Sequence, residues 1–336
     1  MTLGTATTAF LVLCCFCACA VGVFSPAGSP SVTVNAVWSD LNITRLYPTT
    51  AVAGAVLFES NEMGHPKGVS PAVDLRSQRL FVPLYGPFSE SKMKLGVFDL
   101  SVPDKVTVLK TIPTPGDTVY SIQYDSVADT VWLVVSFVRD LRIIFLVSVD
   151  LVSGNVSNVT LPTGYKPAYQ TGLGSPSVID EKNRELVLSV EQPLTPGSFD
   201  NVYSLLRFNL DTHQFTIITF PDLWPCAMVK DQLSGTVYAL FHPRDYRQQQ
   251  FLSFGTLDTT SGALEVLNKW TNPTLLFVIN SLCALDSESA QFYAVVGDGA
   301  AGRVALVTVS AKSGELVNTA YFDRWARTGI PNIFVY

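Results

Sequence analysis

Five aspartates recur along the chain at a spacing of roughly fifty residues, and a ring of carboxylates is one way in which a protein can bind a metal ion. The five are Asp74, Asp125, Asp180, Asp231 and Asp286. Each is followed closely by an apolar run such as Val131-Trp132-Leu133. Aspartate is also a good turn former, because its carboxylate accepts hydrogen bonds from backbone amides two residues on. We therefore expect each acid to serve its own hairpin rather than a shared metal site.

The other residue types that carry chemistry form no recognisable catalytic pattern. The histidines, His65, His213 and His242, fall in three different segments, and no His, Cys or carboxylate cluster has zinc-ligand spacing, so neither a metal nor a cofactor is expected. The glycine-rich segment 297–302 lacks the lysine and the following helix of a phosphate-binding loop. No Gly-x-Ser-x-Gly segment indicates a nucleophilic serine.

The segments that must position these residues are themselves repeated. Each repeat aspartate leads into an apolar run, as in 73–84 and 124–135, and a strand-turn-strand pattern follows, as in 146–160. Each unit thus contains four short strands, A to D, with the aspartate in the A-B turn. Such a unit is too small to bury its own apolar faces and must stack against copies of itself. This predicts an all-β fold with a single β-propeller.

The number of blades follows from the length of the chain. Five units are visible, whereas the length divided by the period gives about six. The sixth is expected to combine strands within 31–38, 43–48 and 51–59 with the terminal segment 331–336. Pairing the two ends would close the ring and remove exposed strand edges. Six blades are predicted, with five and seven as alternatives.

Composition and the N-terminal segment bear on location. Charged residues make up 15% of the 336 residues and the net charge is -6, which argues against a nucleic-acid partner. The uncharged apolar run 9–23 ends in Ala18-Cys19-Ala20, which is typical of a secretory signal peptide. We predict a signal peptide over 1–20 and a propeller domain over 21–336, with an uncleaved anchor as the alternative. The mature domain is expected to be a monomer, secreted or at the cell surface, without membrane insertion.

Cysteines and glycosylation sequons suit such a location. Cys226 and Cys283 each lie just upstream of a repeat aspartate, so both should be on neighbouring inner strands. They are a candidate disulfide, with two buried free thiols as the alternative. Sequons for N-glycosylation begin at Asn42, Asn155 and Asn158, and the last two fall on a hairpin expected to be exposed.

The connections between strands divide into two faces of the ring. The B-C and D-A connections lie on one face, which we call the loop face, and the tight A-B and C-D turns lie on the other, the turn face. The connections of the loop face carry aromatic and arginine side chains, which give contact area at little entropic cost. The candidate ligand-binding residues there are Tyr165, Tyr169, Trp224, Tyr246, Arg247, Trp270 and Trp325. The alternative is that the tryptophans fill gaps between blades.

Strand A of each blade should line a central channel with small neutral side chains. The predicted lining residues are Ser70, Ser121, Gln123, Ser175, Ser177, Asn280, Ser281 and Asn332. An enzyme would need at least two ionisable groups together at the channel mouth. The residues that could converge there are Arg139, Asp140, Glu191, Asp200, His242 and Arg244.

The repeat aspartate with its apolar run, together with stretches such as Val149-Asp150-Leu151-Val152-Ser153-Gly154, resembles the repeats of YVTN-like and quinoprotein-like β-propellers. The resemblance covers most of the mature chain and implies the fold alone, without a functional residue. No Trp-Asp dipeptide is present, as it would be in WD repeats, and the axial acids of gluconolactonase-like propellers find no match. The favoured function is binding of an extracellular protein or glycan through the loop face. The alternatives are a lactonase-like or glycosidase-like hydrolase or lyase at the channel mouth, and an extracellular spacer.

Overall fold

The part of the chain that the structure describes consists of strands and their connections. The computed structural model describes residues 34–37, 43–59, 69–85, 93–102, 105–137, 140–168, 175–194, 201–243, 251–270, 275–298, 303–322 and 332–335. Only the backbone is described for residues 52, 140–142, 275–281 and 332. One compact unit spans Thr33–Tyr336, and Met1–Val32 form a second unit that lies outside the described residues. Within the described ranges, no helix is long and apolar enough to cross a membrane.

Six antiparallel sheets form the six blades of a β-propeller, as the sequence predicts. The chain begins with β1 (Val34–Val37), β2 (Ile43–Tyr47) and β3 (Val52–Phe58). Blade 1 contains β4 (Ala72–Asp74), β5 (Arg79–Tyr85), β6 (Met93–Asp99) and β7 (Thr107–Pro113). Blade 2 contains β8 (Thr118–Asp125), β9 (Thr130–Phe137), β10 (Asp140–Asp150) and β11 (Val156–Thr160).

The remaining blades repeat this order from strand A to strand D. Blade 3 contains β12 (Lys166–Pro167), β13 (Ser177–Asp180), β14 (Glu185–Pro193), β15 (Asn201–Asn209) and β16 (Phe215–Thr219), and both β12 and β13 pair with β14. Blade 4 contains β17 (Leu223–Lys230), β18 (Val237–Pro243), β19 (Leu252–Leu257) and β20 (Leu264–Trp270). Blade 5 contains β21 (Leu275–Asp286), β22 (Gln291–Asp298), β23 (Arg303–Ser310) and β24 (Leu316–Tyr321).

The two ends of the chain together build blade 6, which confirms the predicted closure of the ring. The last strand, β25 (Asn332–Val335), is the inner strand of a sheet whose order is β25-β1-β2-β3. Its register with β1 is antiparallel, from Val34 opposite Val335 to Val37 opposite Asn332. This pairing gives β1 a partner on each side, so neither β1 nor β25 presents an unpaired edge towards the other.

The apolar core lies in the layers between blades. Val37 and Phe334 of blade 6 pack in one cluster with Phe98 of blade 1. Between blades 4 and 5, the rings of Phe254 and Phe292 contact edge to face, with centroids 5.0 Å apart. Each sheet therefore buries its faces against its neighbours, which is why a single unit would not be stable alone.

The repeat aspartates cap their own A-B turns, as predicted. Asp74 Oδ1 accepts hydrogen bonds from the backbone amides of Arg76 and Ser77, at 3.1 and 3.2 Å. The equivalent turn bonds are made by Asp125, Asp180, Asp231 and Asp286. The acids do not assemble into a metal-binding ring, because each carboxylate is directed at the turn that follows it.

Several of these turns are also tied to the next blade, which the sequence did not predict. Arg184, in the A-B turn of blade 3, reaches Asp125 of blade 2 with an Nη1–Oδ1 distance of 2.6 Å. Arg79 of blade 1 contacts Asp74 of its own turn and Asp129 of blade 2, each at 2.7 Å. Burial acts to raise the pKa of Asp74, but the hydrogen bonds from Arg79 and Ser77 outweigh it and leave that pKa below its ordinary value. The turn face is thus stabilised by arginines that each contact two carboxylates.

Candidate functional site

The six inner strands surround a central channel. Its cavity has a volume of about 160 Å³ and is lined from all six blades, for example by Ser70, Ser177 and Phe334. Ser121 hydrogen-bonds to Ser177 through their hydroxyls, and Gln123 Nε2 donates to the Ser177 carbonyl at 2.9 Å. A pocket for a small organic ligand usually encloses ~300–1,000 Å³. The channel is therefore narrow, and its polar groups already bond to one another.

The serines and glutamine predicted to line this channel do so. Ser70, Ser121, Gln123, Ser175 and Ser177 all contribute to its wall. The side chains of three further predicted residues lie outside those described, namely Asn280, Ser281 and Asn332. The inner strands place these small polar side chains at the channel wall, together with sequence neighbours such as Ile122 and Tyr124.

The end of the channel at the turn face is occupied by an ion pair. Lys230 Nζ of blade 4 lies 3.1 Å from Glu181 Oε2 of blade 3, and Ser126 of blade 2 donates to the other oxygen of Glu181. Burial acts to raise the pKa of Glu181, but the bonds from Ser126 and Lys230 outweigh it, so the carboxyl stays ionised near neutrality. Lys230, Glu181 and Ser126 are thus hydrogen-bonded to one another, and together they link three consecutive blades.

A second polar cluster lies on blade 3 at the loop face, and we call it the Glu191 cluster. Its members are Lys166, Glu191, Asn201 and Tyr203. Lys166 Nζ is 3.1 Å from one oxygen of Glu191, and Asn201 Nδ2 donates to the other at 3.0 Å. The Glu191 side chain is 6% exposed and that of Lys166 is 41% exposed. The cluster therefore buries the carboxylate, while the Lys166 side chain is partly exposed.

Burial shifts the ionisable groups of the Glu191 cluster. It raises the pKa of Glu191, although Lys166 and Asn201 act in the opposite direction. It also raises the pKa of Tyr203 to about 12, with a further contribution from the negative charge of Glu191. Glu191 and Tyr203 are directly opposite in the pairing of β14 with β15, so both side chains are on the same face of the sheet.

An aromatic stack continues from this cluster into blade 4. The ring of Tyr203 lies parallel to that of Trp224, with an interplanar angle of 4° and centroids 4.2 Å apart. The imidazole of His242 follows, 5.9 Å from Trp224. His242 is fully buried, and neither ring nitrogen has a hydrogen-bond partner in the structure. Burial lowers the pKa of His242 to about 4, so the imidazole is neutral at pH 7.

A third polar group on the loop face lies on blade 5. The hydroxyl of Tyr321 donates to Asp298 Oδ2 at 2.9 Å, and the guanidinium of Arg303 lies over the Tyr321 ring, 5.9 Å from its centroid. Asp298 is buried and Arg303 is exposed. As in the Glu191 cluster, the acidic side chain is buried and the cationic side chain is more exposed.

Two of the aromatic residues predicted for the ligand-binding surface are instead inside the protein. Trp224 is 1% exposed and Trp270 is 8% exposed, and Trp270 Nε1 donates to the Gly314 carbonyl of the next blade at 3.0 Å. Both were expected in D-A loops, but Trp224 belongs to β17 and Trp270 to β20. β17 is the inner edge of its sheet, where Pro225 next to a bulge is tolerated. These tryptophans fill space between blades.

The other predicted surface residues are only partly described. Tyr165 is half-buried and packs against the cluster between blades 2 and 3. Tyr169, Tyr246, Arg247 and Trp325 lie outside the described residues. The surface aromatics of the loop face therefore stay a prediction, apart from the corrected pair Trp224 and Trp270.

Of the ionisable residues that an enzyme would have to bring together, Glu191 and His242 have described side chains, and neither lines the channel. Both belong to the layer between blades 3 and 4 that contains the Tyr203–Trp224 stack. Arg139, Asp200 and Arg244 fall outside the described residues, as does the side chain of Asp140. In the described ranges, no three His, Cys, Asp or Glu side chains are grouped so as to hold a metal ion.

Cys226 and Cys283 lie on neighbouring inner strands, and in this structure they are free thiols rather than a disulfide. Cys226 Sγ donates to the Leu240 carbonyl at 3.2 Å, and Cys283 Sγ donates to the Met228 carbonyl of the adjacent blade at 3.3 Å. Burial raises the pKa of the Cys283 thiol to about 12, so it has little thiolate character at neutral pH. Of the sequon asparagines, Asn155 and Asn158 are exposed and Asn42 is outside the described residues.

Comparison with known proteins supports the architecture. The chain matches no protein-family model and no curated protein sequence. It is similar in structure to TolB from Acinetobacter baumannii, with a TM-score of 0.59 and 11% identity over 100% of this chain and 74% of TolB. It is also similar to the periplasmic gluconolactonase PpgL of Pseudomonas aeruginosa, with a TM-score of 0.54 and 10% identity over 90% of this chain and 98% of the other. At such low identity, these similarities establish the propeller fold and nothing further.

Proposed function

We propose that this propeller is a secreted or cell-surface module that binds an extracellular protein or glycan through its loop face. One observation carries the proposal: the Glu191 cluster holds the Lys166 ammonium at the base of that face, on a strand and beside a buried carboxylate. A charged group held in place before binding loses less entropy on contact than one on a flexible chain. Arg303 of blade 5 is a second exposed cation on the same face.

The contrast between the two faces supports this choice of surface. On the turn face the short A-B turns are capped by their own aspartates and joined to neighbouring blades by Arg79, Arg184 and Lys230. Those charged groups already have partners inside the protein. On the loop face Lys166, although paired with Glu191, has a half-buried side chain, and Arg303 is exposed, while the acids Glu191 and Asp298 are buried. Exposed charge at an interface rim contributes to specificity and to the rate of association.

The proposed location rests on the N-terminal segment. The uncharged run 9–23 with small residues at its end favours cleavage after Ala20 and export of a monomeric domain over 21–336. Export would expose the loop face to extracellular proteins and glycans. Retention of the run as a membrane anchor would give a cell-surface form of the same domain.

Lys166→Ala is expected to weaken binding by about tenfold, since loss of one rigid charged contact costs ~1.4 kcal/mol. The measurement is binding of the secreted chain to an array of defined glycans and to proteins from the extracellular fluid, followed by titration of each hit. The matched control is Lys182→Ala, an exposed lysine in the A-B turn of the same blade, on the turn face. Lys182→Ala should leave the affinity unchanged. Equal effects of the two substitutions would contradict the choice of face.

A second candidate, a hydrolase, is favoured by one observation. Glu191 is a buried carboxyl with a raised pKa, and such groups are candidates for general acid catalysis. If this function were correct, the chain would hydrolyse simple lactones or glycosides, and Glu191→Gln would abolish the activity while Lys182→Ala would not. The binding proposal predicts no turnover by the wild-type chain in the same assays.

A further inference from the structure

The sequon at Asn158 lies beside a shallow apolar depression on the outer part of blade 2. The depression has a volume of about 40 Å³ and is lined by Pro115, Val135, Phe137, Phe145, Val147 and Asn158. The rings of Phe137 and Phe145 contact edge to face, with centroids 5.6 Å apart. Phe137 is 38% exposed, whereas most of the other phenylalanines whose side chains are described are buried.

The strand register places the sequon directly over this aromatic pair. In the pairing of β10 with β11, Asn158 is opposite Val147 and Thr160 is opposite Phe145. Directly opposite residues share one face of a sheet, so Asn158 and Thr160 lie on the same face as Phe145. Asn158 is exposed. A group attached to its amide nitrogen therefore starts at the edge of the Phe137 and Phe145 rings.

The sequon at Asn155, which directly precedes the one at Asn158, has a different setting. Asn155 is in the C-D turn. Its backbone N–H donates to Ser153 Oγ at 3.1 Å, and its backbone carbonyl accepts a hydrogen bond from the backbone N–H of Asp150. Ser157, the hydroxyl residue of that sequon, is bonded across the strands to Ser148, with an Oγ–Oγ distance of 2.6 Å. Asn155 is exposed but is not part of the wall of the depression.

We infer that Asn158 carries an N-linked glycan whose first N-acetylhexosamine packs on Phe137 and Phe145. Transfer forms a bond between the anomeric carbon of a lipid-pyrophosphate-linked oligosaccharide and Nδ2 of Asn158. The bond from that carbon to the pyrophosphate breaks, the amide nitrogen gives up one proton, and the lipid pyrophosphate leaves with the electron pair. The depression is too small to enclose a sugar, so the ring would lie across it and cover apolar surface that is otherwise in contact with water. The inference rests on the proposed export of the chain.

The first experiment measures which asparagine is modified. The full chain is expressed in eukaryotic secretory cells in two forms, one with its own N-terminus and one with a known secretion leader in place of residues 1–20. Peptide mapping of the secreted protein should find glycan on Asn158, and Asn158→Gln should remove it while Asn155→Gln should not. An unmodified Asn158 in the secreted protein would overturn the inference. If only the form with the known leader is secreted, the native N-terminus does not direct export. Glycan on Asn158 of that form would still support the proposed site.

The second experiment measures whether the sugar packs on the aromatic pair. Trimming the glycan to its first sugar should leave a melting temperature about 2 °C above that of the Asn158→Gln variant, as expected for a gain of less than ~1 kcal/mol in a domain of this size. This difference should disappear in Phe137→Ala. It should persist in Val152→Ala, a substitution at a C-D turn residue of the same blade that is 82% exposed. The same difference in all three backgrounds would show that the sugar does not contact Phe137 and would overturn the packing.

Discussion

Ile333→Ala should lower the free energy of unfolding by about 3 kcal/mol, the usual cost of removing a large aliphatic side chain from a packed core. Ile333 is fully buried in the cluster between blades 5 and 6, although it lies near the C-terminus of the chain. A terminal residue that did not belong to a sheet would show almost no effect. The measurement is urea denaturation followed by tryptophan fluorescence.

The control for this substitution is Val317→Ala. Val317 is on β24, the outer strand of blade 5, and is 58% exposed, so its truncation should change stability by less than ~0.5 kcal/mol. The two substitutions are close together in the sequence but differ in burial. Equal small effects would mean that β25 contributes little to the core.

Acidification from pH 7 to pH 5 should cost the wild-type protein about 2 kcal/mol of stability through His242 alone. The pKa of His242 is about 4 in the folded protein, below the ordinary value of 6.5, because burial disfavours the imidazolium. Between these values the unfolded chain binds a proton that the folded chain does not, so stability falls as the pH falls. Below pH 4 the folded protein also takes up the proton, and the loss levels off.

The prediction is tested by comparing His242→Phe with the wild type, since all other titrating groups contribute equally to both. Glu191, whose pKa is raised, acts in the opposite direction and favours the folded state as the pH falls. The variant should lack the ~2 kcal/mol dependence that the wild type shows, because phenylalanine fills the site without a titrating group. Parallel curves for His242→Phe and the wild type would show that His242 is not buried as a neutral imidazole.

The repeat pattern was sufficient to predict the fold, including its least obvious part. The aspartates marked the A-B turns because an Asx turn is a local interaction between a carboxylate and the next amides. Closure by 331–336 followed from counting blades and from the apolar residues of this terminal segment, such as Ile333 and Phe334. Both arguments depend on local sequence and on the need to cover strand edges.

The position of the polar clusters could not be predicted in the same way. Glu191 and His242 were expected in loops at the channel mouth, but β14 continues to Pro193 and β18 to Pro243. Proline has no backbone N–H to donate, but at the end of a strand the sheet does not need that hydrogen bond, so a strand can extend to a proline. The two residues are therefore part of the packed layer between blades rather than of the loops.

Contacts between blades could not be predicted from the sequence either. Arg184 pairs with Asp125 and Arg207 with the backbone of Thr260, over separations of more than fifty residues. These contacts depend on how far each sheet twists, and an arginine in a turn has no local signal that specifies its partner. The aromatic stack of Tyr203 and Trp224 has the same origin, since each ring belongs to a different blade.

Amide hydrogen exchange of the intact chain is the most direct test of the closed ring on which the assignment of the two faces depends. The pairing of β1 with β25 predicts slow exchange in both Val34–Val37 and Asn332–Val335. Deletion of residues 331–336 should make Val34–Val37 exchange fast, because β1 would lose its inner partner. Fast exchange of Asn332–Val335 in the intact chain, with β1 still protected, would contradict closure of the ring by the two ends.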